Sequence, residues 1–384
     1  MRNQPRLQNL QIEKGTCYAI FAYDIGMAID LDRADQRIIA TKQREQIKHK
    51  SKAPRYLAYR PAPLRVAQEI PPLSIGKYST SPTVELLLYD FGALSITYKI
   101  PIEGPFGNLL ALSEDLYENP LLQADSRQRV EALLATIQDA VEKTSIANYV
   151  EDYVIFQIEA HTPSGPPVPW ERYEQEMAQI LRCERATLAE QEVRDATSNR
   201  ISFGTDDVAI IDWNGALLFG TDMDDARAVL EFANVELLEM RILDLQLDNT
   251  LDQAYEALSK RLWTRFRWPG SFESDSTRIA ELQVDSALLF ERVTNTLKLL
   301  GDQYLARVYR LASQRFHLVA WDASILRKLQ TLESIYGKMT DHAAYRRMEV
   351  LEWIIIVLIA LSIMVSFVPG VYGAGATGGP LGPG

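Results

Sequence analysis

The spacing of apolar and polar positions changes along this chain, and the changes mark its predicted parts. Residues 16–31, Thr16-Cys-Tyr-Ala-Ile-Phe-Ala-Tyr-Asp-Ile-Gly-Met-Ala-Ile-Asp-Leu31, read as a strand, a turn and a second strand or short helix. Residues 83–100 are apolar on both sides of Asp90 and Gly92 and predict a β-hairpin. Helical segments follow near 105–118 and 126–145, then an apolar strand over 149–158. The run Thr162-Pro-Ser-Gly-Pro-Pro-Val-Pro169 predicts a loop, and helical stretches follow over 170–196. Asp207–Phe219, with Asn214-Gly215 at its centre, predicts a second hairpin. From Asp222 the period becomes helical, to about Arg261, and Trp268-Pro269-Gly270 breaks it before further helices over 271–348. One apolar seam runs Leu289, Val293, Leu297, Leu300, Tyr304, Val308 and Leu311. A second, Ile325, Leu329, Leu332, Tyr336, Met339 and Ala343, steps 4-3-4-3-4. An antiparallel helical hairpin, or pairing with another subunit, would bury both seams. Ile325, Leu329, Leu332, Tyr336 and Met339 are therefore the expected self-association positions, and a homo-oligomer the expected state.

The last apolar run, Glu349–Val368, has a different character. From Trp353 to Val368 sixteen residues carry no charge, and only Ser362 and Ser366 are polar. That is about 24 Å of helix against a hydrocarbon core of about 30 Å. Trp353, Ile354, Ile355, Ile356, Leu358, Leu361 and Phe367 are the expected anchor, with the bilayer as partner. Lys338, Arg346 and Arg347 precede the run and no charge follows it over 369–384, which places the body in the cytoplasm by the positive-inside rule. The predicted location is the bacterial inner membrane, as a single-pass protein. The alternative is a core helix, or one hidden in an oligomer. The start of the chain lacks the apolar core of a signal peptide.

The expected fold class is α+β: a hairpin-rich α/β body, a long helical hairpin and one C-terminal transmembrane helix. The expected divisions are a tail over 1–15, an α+β domain over 16–200 with a basic arm over 33–65, a second hairpin–helix unit over 201–270, a coiled-coil hairpin over 271–348, the membrane helix over 349–368 and a flexible tail over 369–384. Asp24-Ile-Gly26, Asp90-Phe-Gly92 and Asp212-Trp-Asn-Gly215 repeat an aspartate before a turn glycine, a faint internal echo.

Charge and chemistry refine this picture. A net charge of −11 argues against a surface that coats nucleic acid throughout, and two cysteines without a CxxC pair give neither a disulfide framework nor a zinc knuckle. The arm departs from the rest: between Arg33 and Arg65 there are ten Lys/Arg and only Asp35 and Glu45. Arg55, Tyr56, Tyr59, Arg60 and Arg65 there suit RNA phosphates and stacked bases, or anionic lipid. The plainer alternative is a solvated loop. Asp24, Asp90 and Asp212 would serve a divalent cation if they converged, although aspartate before glycine is ordinary turn chemistry. Cys183 beside Arg182 and Arg185 invites a lowered thiol pKa. Gly373-Ala-Gly-Ala-Thr-Gly378 spells a dinucleotide fingerprint but follows an apolar helix, not a strand. No Walker loop, nucleophile elbow or zinc spacing occurs. No catalytic residue, cofactor or metal is therefore predicted.

Arg347-Met-Glu-Val-Leu-Glu-Trp-Ile-Ile-Ile-Val-Leu-Ile-Ala360, preceded by amphipathic helices, resembles the C-terminal signature of the "required for meiotic nuclear division" family. The resemblance implies an α+β body, a coiled-coil hairpin, one C-terminal span and homo-oligomers. It also implies support of translation at a membrane, with no catalytic residues to carry over. The expected function is thus a non-enzymatic membrane-anchored scaffold that recruits a cytoplasmic protein. The alternatives are tethering of RNA or a ribosome, and a metal-dependent hydrolase on the turn aspartates.

Overall fold

The computed structural model describes residues 10–45, 62–162, 170–263 and 303–366; at 40–45, 257–263, 336, 338–351 and 360–366 it describes the backbone alone. The chain divides into two compact units, Met1–Asn249 with Gln283–Arg327, and Thr250–Leu282 with Lys328–Gly384.

The first unit is built on one sheet. Its strands are β1 (Gln11–Asp24), β3 (Leu64–Glu69), β6 (Thr83–Leu88), β7 (Ala93–Pro105), β9 (Glu151–Thr162), β10 (Arg200–Ile201), β11 (Val208–Ile211) and β12 (Gly215–Phe219). They lie in the order β10-β11-β12-β9-β1-β7-β6-β3. Neighbours are antiparallel except β9 and β12, which run parallel with Val154 opposite Gly215. The short β2 (Ala28–Ile29) pairs with β8 (Val141–Glu142), and β4 (Ser74–Ile75) with β5 (Tyr78–Ser79). Both expected hairpins are present, as β6–β7 and β11–β12. The expected boundary at residue 200 falls inside this sheet, because β10, β11 and β12 extend it from β9.

Alternation along the strands decides what each sheet face meets. Cys17, Ala19, Phe21 and Tyr23 of β1, Leu94, Ile96 and Tyr98 of β7, and Phe156 and Ile158 of β9 point into one apolar core. That core is completed by α1 (Leu31–Glu45), α2 (Asn108–Leu116), α3 (Pro120–Ile137) and α4 (Glu174–Arg182). Helix α3 begins earlier than the expected 126, because Pro120 occupies its first turn and the Asn119 side chain accepts the Leu122 N–H at 3.0 Å. It ends at Ile137 rather than 145.

Helix α1 corrects the expectation that 33–65 is wholly an arm. Asp30 starts it by accepting the Arg33 N–H at 3.0 Å. Ala34 and Ile38 face the core, while Arg33 and Arg37 reach Asp139. Two of the arm's basic residues thus form one face of an amphipathic helix.

The opposite sheet face carries polar residues and is covered by α6 (Asp224–Trp263). Ser95 and Thr97 donate to one oxygen of Glu231 at 2.7 and 3.2 Å. Arg227, buried, lies 3.7 Å from the other oxygen and 4.6 Å from the centre of the Tyr18 ring. Glu85 is flanked by Lys99 at 2.7 Å and Arg65 at 3.7 Å. Charges enclosed in this way are tolerable because each carboxylate has donors.

Farther along α6, Glu236 is buried and accepts the Tyr309 hydroxyl at 2.6 Å from α7 (Gln303–Arg315). Burial pushes its carboxyl up to about 8, with Asp322 adding to the rise and Tyr309 opposing it. Above the unfolded value near 4.3 the unfolded chain has released this proton while the folded chain still holds it. Stability therefore falls as pH rises from about 5 to 8. Glu236→Gln keeps an acceptor for Tyr309 and should flatten this dependence, raising the melting temperature at pH 8 far more than at pH 5. Thermal melts of both proteins across that range check it; parallel curves would show that Glu236 does not titrate there.

The last described helix, α8 (Leu318–Ser366), is 49 residues long. Among the described residues no helix is long and apolar enough to cross a membrane.

Candidate functional site

Strand pairing gathers the chemistry-bearing residues at one end of the sheet. Because β1 is antiparallel to both β7 and β9, and β12 is parallel to β9, the end of β1 lies beside the starts of the other three. Asp24, the Asp90–Gly92 turn and the Asp212–Asn214 turn all sit along this end. They do not form one ligand set. Strands β12 and β9 lie between β11 and β1, and Asp212, opposite Gly215, is level with Val154 and Ala19, so it stands three strand spacings across and five residues along the sheet from Asp24, roughly 20 Å away. Among the described residues no group of three or more His, Cys, Asp or Glu side chains is arranged to hold a metal ion. Asp24 accepts the Gly26 N–H at 3.0 Å, turn chemistry, and burial pushes its carboxyl up to about 6.

Asp212 has a different role. Fully buried, it meets Arg182, at the end of α4, with Nε 2.7 Å from Oδ2 but off the hydrogen-bond axis. Its other oxygen binds Arg315 of α7 and accepts the Trp213 N–H at 2.9 Å. Its carbonyl accepts the Tyr153 hydroxyl at 2.8 Å. Asp195 on α5 (Glu190–Ser198) takes the outer side of both guanidiniums, at 2.6 Å each. Two carboxylates and two guanidiniums thus join three helices to the β11–β12 turn. Burial raises the Asp212 carboxyl pKa, against the pull of Arg315, the Trp213 N–H and Arg182. At Asp195 the Arg315 hydrogen bond leads and holds the carboxyl low.

Beside this cluster lies a small pocket lined by Ser113, Tyr117, Asp152, Val154, Phe156 and Cys183, with Ile180, Leu181 and the Asn214-Gly215 turn closing it. Cys183 caps α4 in the left-handed conformation, φ +54°. Its sulfur is 2.8 Å from Ser113 Oγ and 3.3 Å from Asn214 Nδ2. The neighbouring arginines do not activate it: Arg182 is turned to Asp212 and Asp195, and Arg185 to Glu114 at 2.5 Å. Burial instead raises the thiol pKa. Sequence reasoning had no signal for Asp195, Arg182 and Arg315 as partners of Asp212, nor for Asp152, whose carboxyl is raised by burial.

The remaining expected residues fall as follows. Ile325, Leu329 and Leu332 are buried within the single chain, at 0, 7 and 0 % exposed, so these side chains are already covered without a second subunit. The side chains of Tyr336, Met339, Arg346, Arg347 and Leu361 lie outside the described residues, as does the whole of Phe367. Trp353, Ile354, Ile355, Ile356 and Leu358 are described and exposed. Arg55, Tyr56, Tyr59 and Arg60 lie outside the described residues, and Arg65 is turned to Glu85 on the sheet. The 264–302 part of the helical hairpin and the 373–378 glycines also lie outside them.

No solved structure matches this chain. The "Uncharacterized protein MJ0711" of Methanocaldococcus jannaschii is 21% identical to it over 232 residues, covering 59% of this chain and 69% of that protein. A family model also matches, over residues 14–225, from β1 through every later strand of the sheet to the first turn of α6. That match takes in Asp152, Arg182, Asp195 and Asp212, and stops before Arg315. Since it covers more than half of the sequence, the chain belongs to the family described as the N-terminal domain of uncharacterized protein MJ0711.

Proposed function

We propose that this protein is a membrane-anchored adaptor without catalytic chemistry of its own. Its α+β body recruits a cytoplasmic partner, and the apolar end of α8 enters the bacterial inner membrane. One observation carries the reading. Seven consecutive residues, Trp353 to Ile359, are apolar and 49–64 % exposed, on every side of the helix. A helix apolar all round is stable when lipid or protein surrounds it. Transferring these side chains from water is worth on the order of 10 kcal/mol. The described part of the run is about 10 Å long, and the apolar sequence continues through Val368.

The resemblance to the meiotic-nuclear-division family supports the same arrangement. It adds a second reading, in which a ribosome or its RNA is the recruited partner.

Flotation on neutral phospholipid vesicles tests the anchor. The full chain should float and resist alkaline extraction. Ile356→Lys with Leu358→Lys should return it to the soluble fraction, since each mid-span lysine costs about 2.5–3.5 kcal/mol. A soluble oligomer that ignores vesicles would reject the anchor in favour of a helix bundle. Ribosomal RNA recovered with the floated protein, and lost on nuclease treatment, would select the second reading.

A further inference from the structure

The two ends of the sheet are finished differently. At one end β10 is two residues long and touches α7. At the other, β3 pairs with β6 over all six of its residues, from Leu64 opposite Leu88 to Glu69 opposite Thr83. Among the described residues no strand pairs with the far side of β3. Such an edge presents a row of backbone N–H and C=O groups, and a strand with a matching pattern can extend the sheet there.

The sequence of this edge is complementary to itself. Arg65 and Glu69 lie two residues to either side of Ala67, and Pro63 and Pro71 lie four residues to either side. Antiparallel pairing of two copies about Ala67 therefore sets Arg65 opposite the partner's Glu69, and Glu69 opposite the partner's Arg65. Both prolines then fall just outside the paired run 64–70, where their missing N–H takes nothing from the ladder. Moving the centre by one residue spoils both features. About Val66 the opposite of Glu69 is Pro63, and about Gln68 the opposite of Arg65 is Pro71. A centre between two residues sets the charged face of one copy beside the apolar face of the other.

The faces of β3 suit this register. Val66 is buried in the core and Leu64 packs partly against it, so these positions face the helices α1 to α4. There Leu64 meets the partner's Ile70, an apolar pair. Arg65 and Glu69 share the other face. Glu69 is exposed, and Arg65 stands 3.7 Å from Glu85, a carboxylate already held by Lys99 at 2.7 Å. That contact is too long for a hydrogen bond, and a guanidinium has five donors, enough for a second carboxylate. The α8 positions Ile325, Leu329 and Leu332 are by contrast already covered within the chain.

We propose that two copies of this protein pair antiparallel along β3, about a two-fold axis at Ala67, and so join their eight-stranded sheets into one. The interface is isologous, and each Arg65–Glu69 pair occurs twice in it. This inference goes beyond the adaptor reading and does not depend on the anchor. A chain that ignores vesicles can still pair, and one that floats can be a monomer, so either can fail alone.

The experiment is sedimentation of the full chain in mild detergent, which should show a monomer–dimer equilibrium. Glu69→Arg sets like charges opposite each other at both ends of the interface and should weaken dimerisation about 30-fold. Arg65→Glu should do the same. A mixture of the two variants should pair again, as a heterodimer, because each arginine then meets a glutamate. Ala67→Cys gives a readout that does not depend on the charge variants folding. It lies on the axis, where directly opposed Cα atoms are about 4.5–5.5 Å apart and within disulfide reach. It should cross-link under mild oxidation, while the parent, with Cys17 and Cys183 alone, should not. A monomer at every concentration, a dimer that Glu69→Arg leaves intact, or an Ala67→Cys chain that does not cross-link would overturn the proposal. So would folded charge variants that fail to pair when mixed.

Discussion

Asp212→Ala is expected to lower the stability of the first unit by about 3–5 kcal/mol, the range for removing one partner from a buried ion pair. The mutation leaves Arg182 and Arg315, 17 and 13 % exposed, facing an apolar interior without their inner carboxylate. It also frees the Trp213 N–H. Asp195 continues to hold the outer side of both guanidiniums, but at 51 % exposure that contact is screened by water. Asp195→Ala should therefore cost no more than about 1 kcal/mol. Asp212→Asn keeps the shape and an acceptor, and should fall between the two. Urea unfolding of the three variants measures the order. Equal costs at Asp212 and Asp195 would mean that the cluster behaves as surface charge, and that burial of Asp212 contributes nothing special.

Gly92→Ala should cost about 3 kcal/mol, through backbone alone. Gly92 has φ +97°, in the region that side chains avoid. A Cβ built there would stand 1.7 Å from the carbonyl oxygen of Gly26. That oxygen belongs to a turn that cannot step aside, because the Ile25 N–H donates to the Gly92 carbonyl at 2.9 Å and the Met27 N–H to Glu142 at 2.9 Å. Gly76 supplies the comparison. Its φ is +53°, and the atom a Cβ would meet is the far end of the Asp115 side chain, which can rotate away. Gly76→Ala should therefore cost about 1 kcal/mol, the conformational penalty alone. Denaturant midpoints of the two variants check the difference, and a Gly92→Ala protein as stable as its parent would show that the two turns slide apart readily.

The aspartate-before-glycine echo was visible in the sequence, but its meaning differed at each site. At Asp24 it is turn chemistry, with Gly26 closing the loop. Near Asp90 the glycine, not the aspartate, is the constrained residue, because another backbone passes against it. At Asp212 the carboxylate is the centre of an ion cluster whose members come from α4, α5 and α7. Nothing about Asp212-Trp-Asn-Gly215 announces that difference, since the Arg315 that pairs with it is 103 residues away. Asp152 was hidden for a similar reason. Its strand was legible from apolar content, yet the two helix ends that face it meet only after α2 and α4 pack on the sheet.

The sequence alone determined the features that depend on near neighbours. The period-two runs and turn residues marked both hairpins, and Asp222–Asp225 marked the start of the long α6 helix. Tertiary structure decided the rest. It placed β12 parallel beside β9, held residues 31–45 as a helix by packing Leu31, Ala34 and Ile38 into the core, and buried Ile325, Leu329 and Leu332 inside the chain. Those outcomes rest on contacts between segments far apart in sequence. Charge pairing and sheet order are set by which faces must be covered together, and local pattern carries no record of that choice.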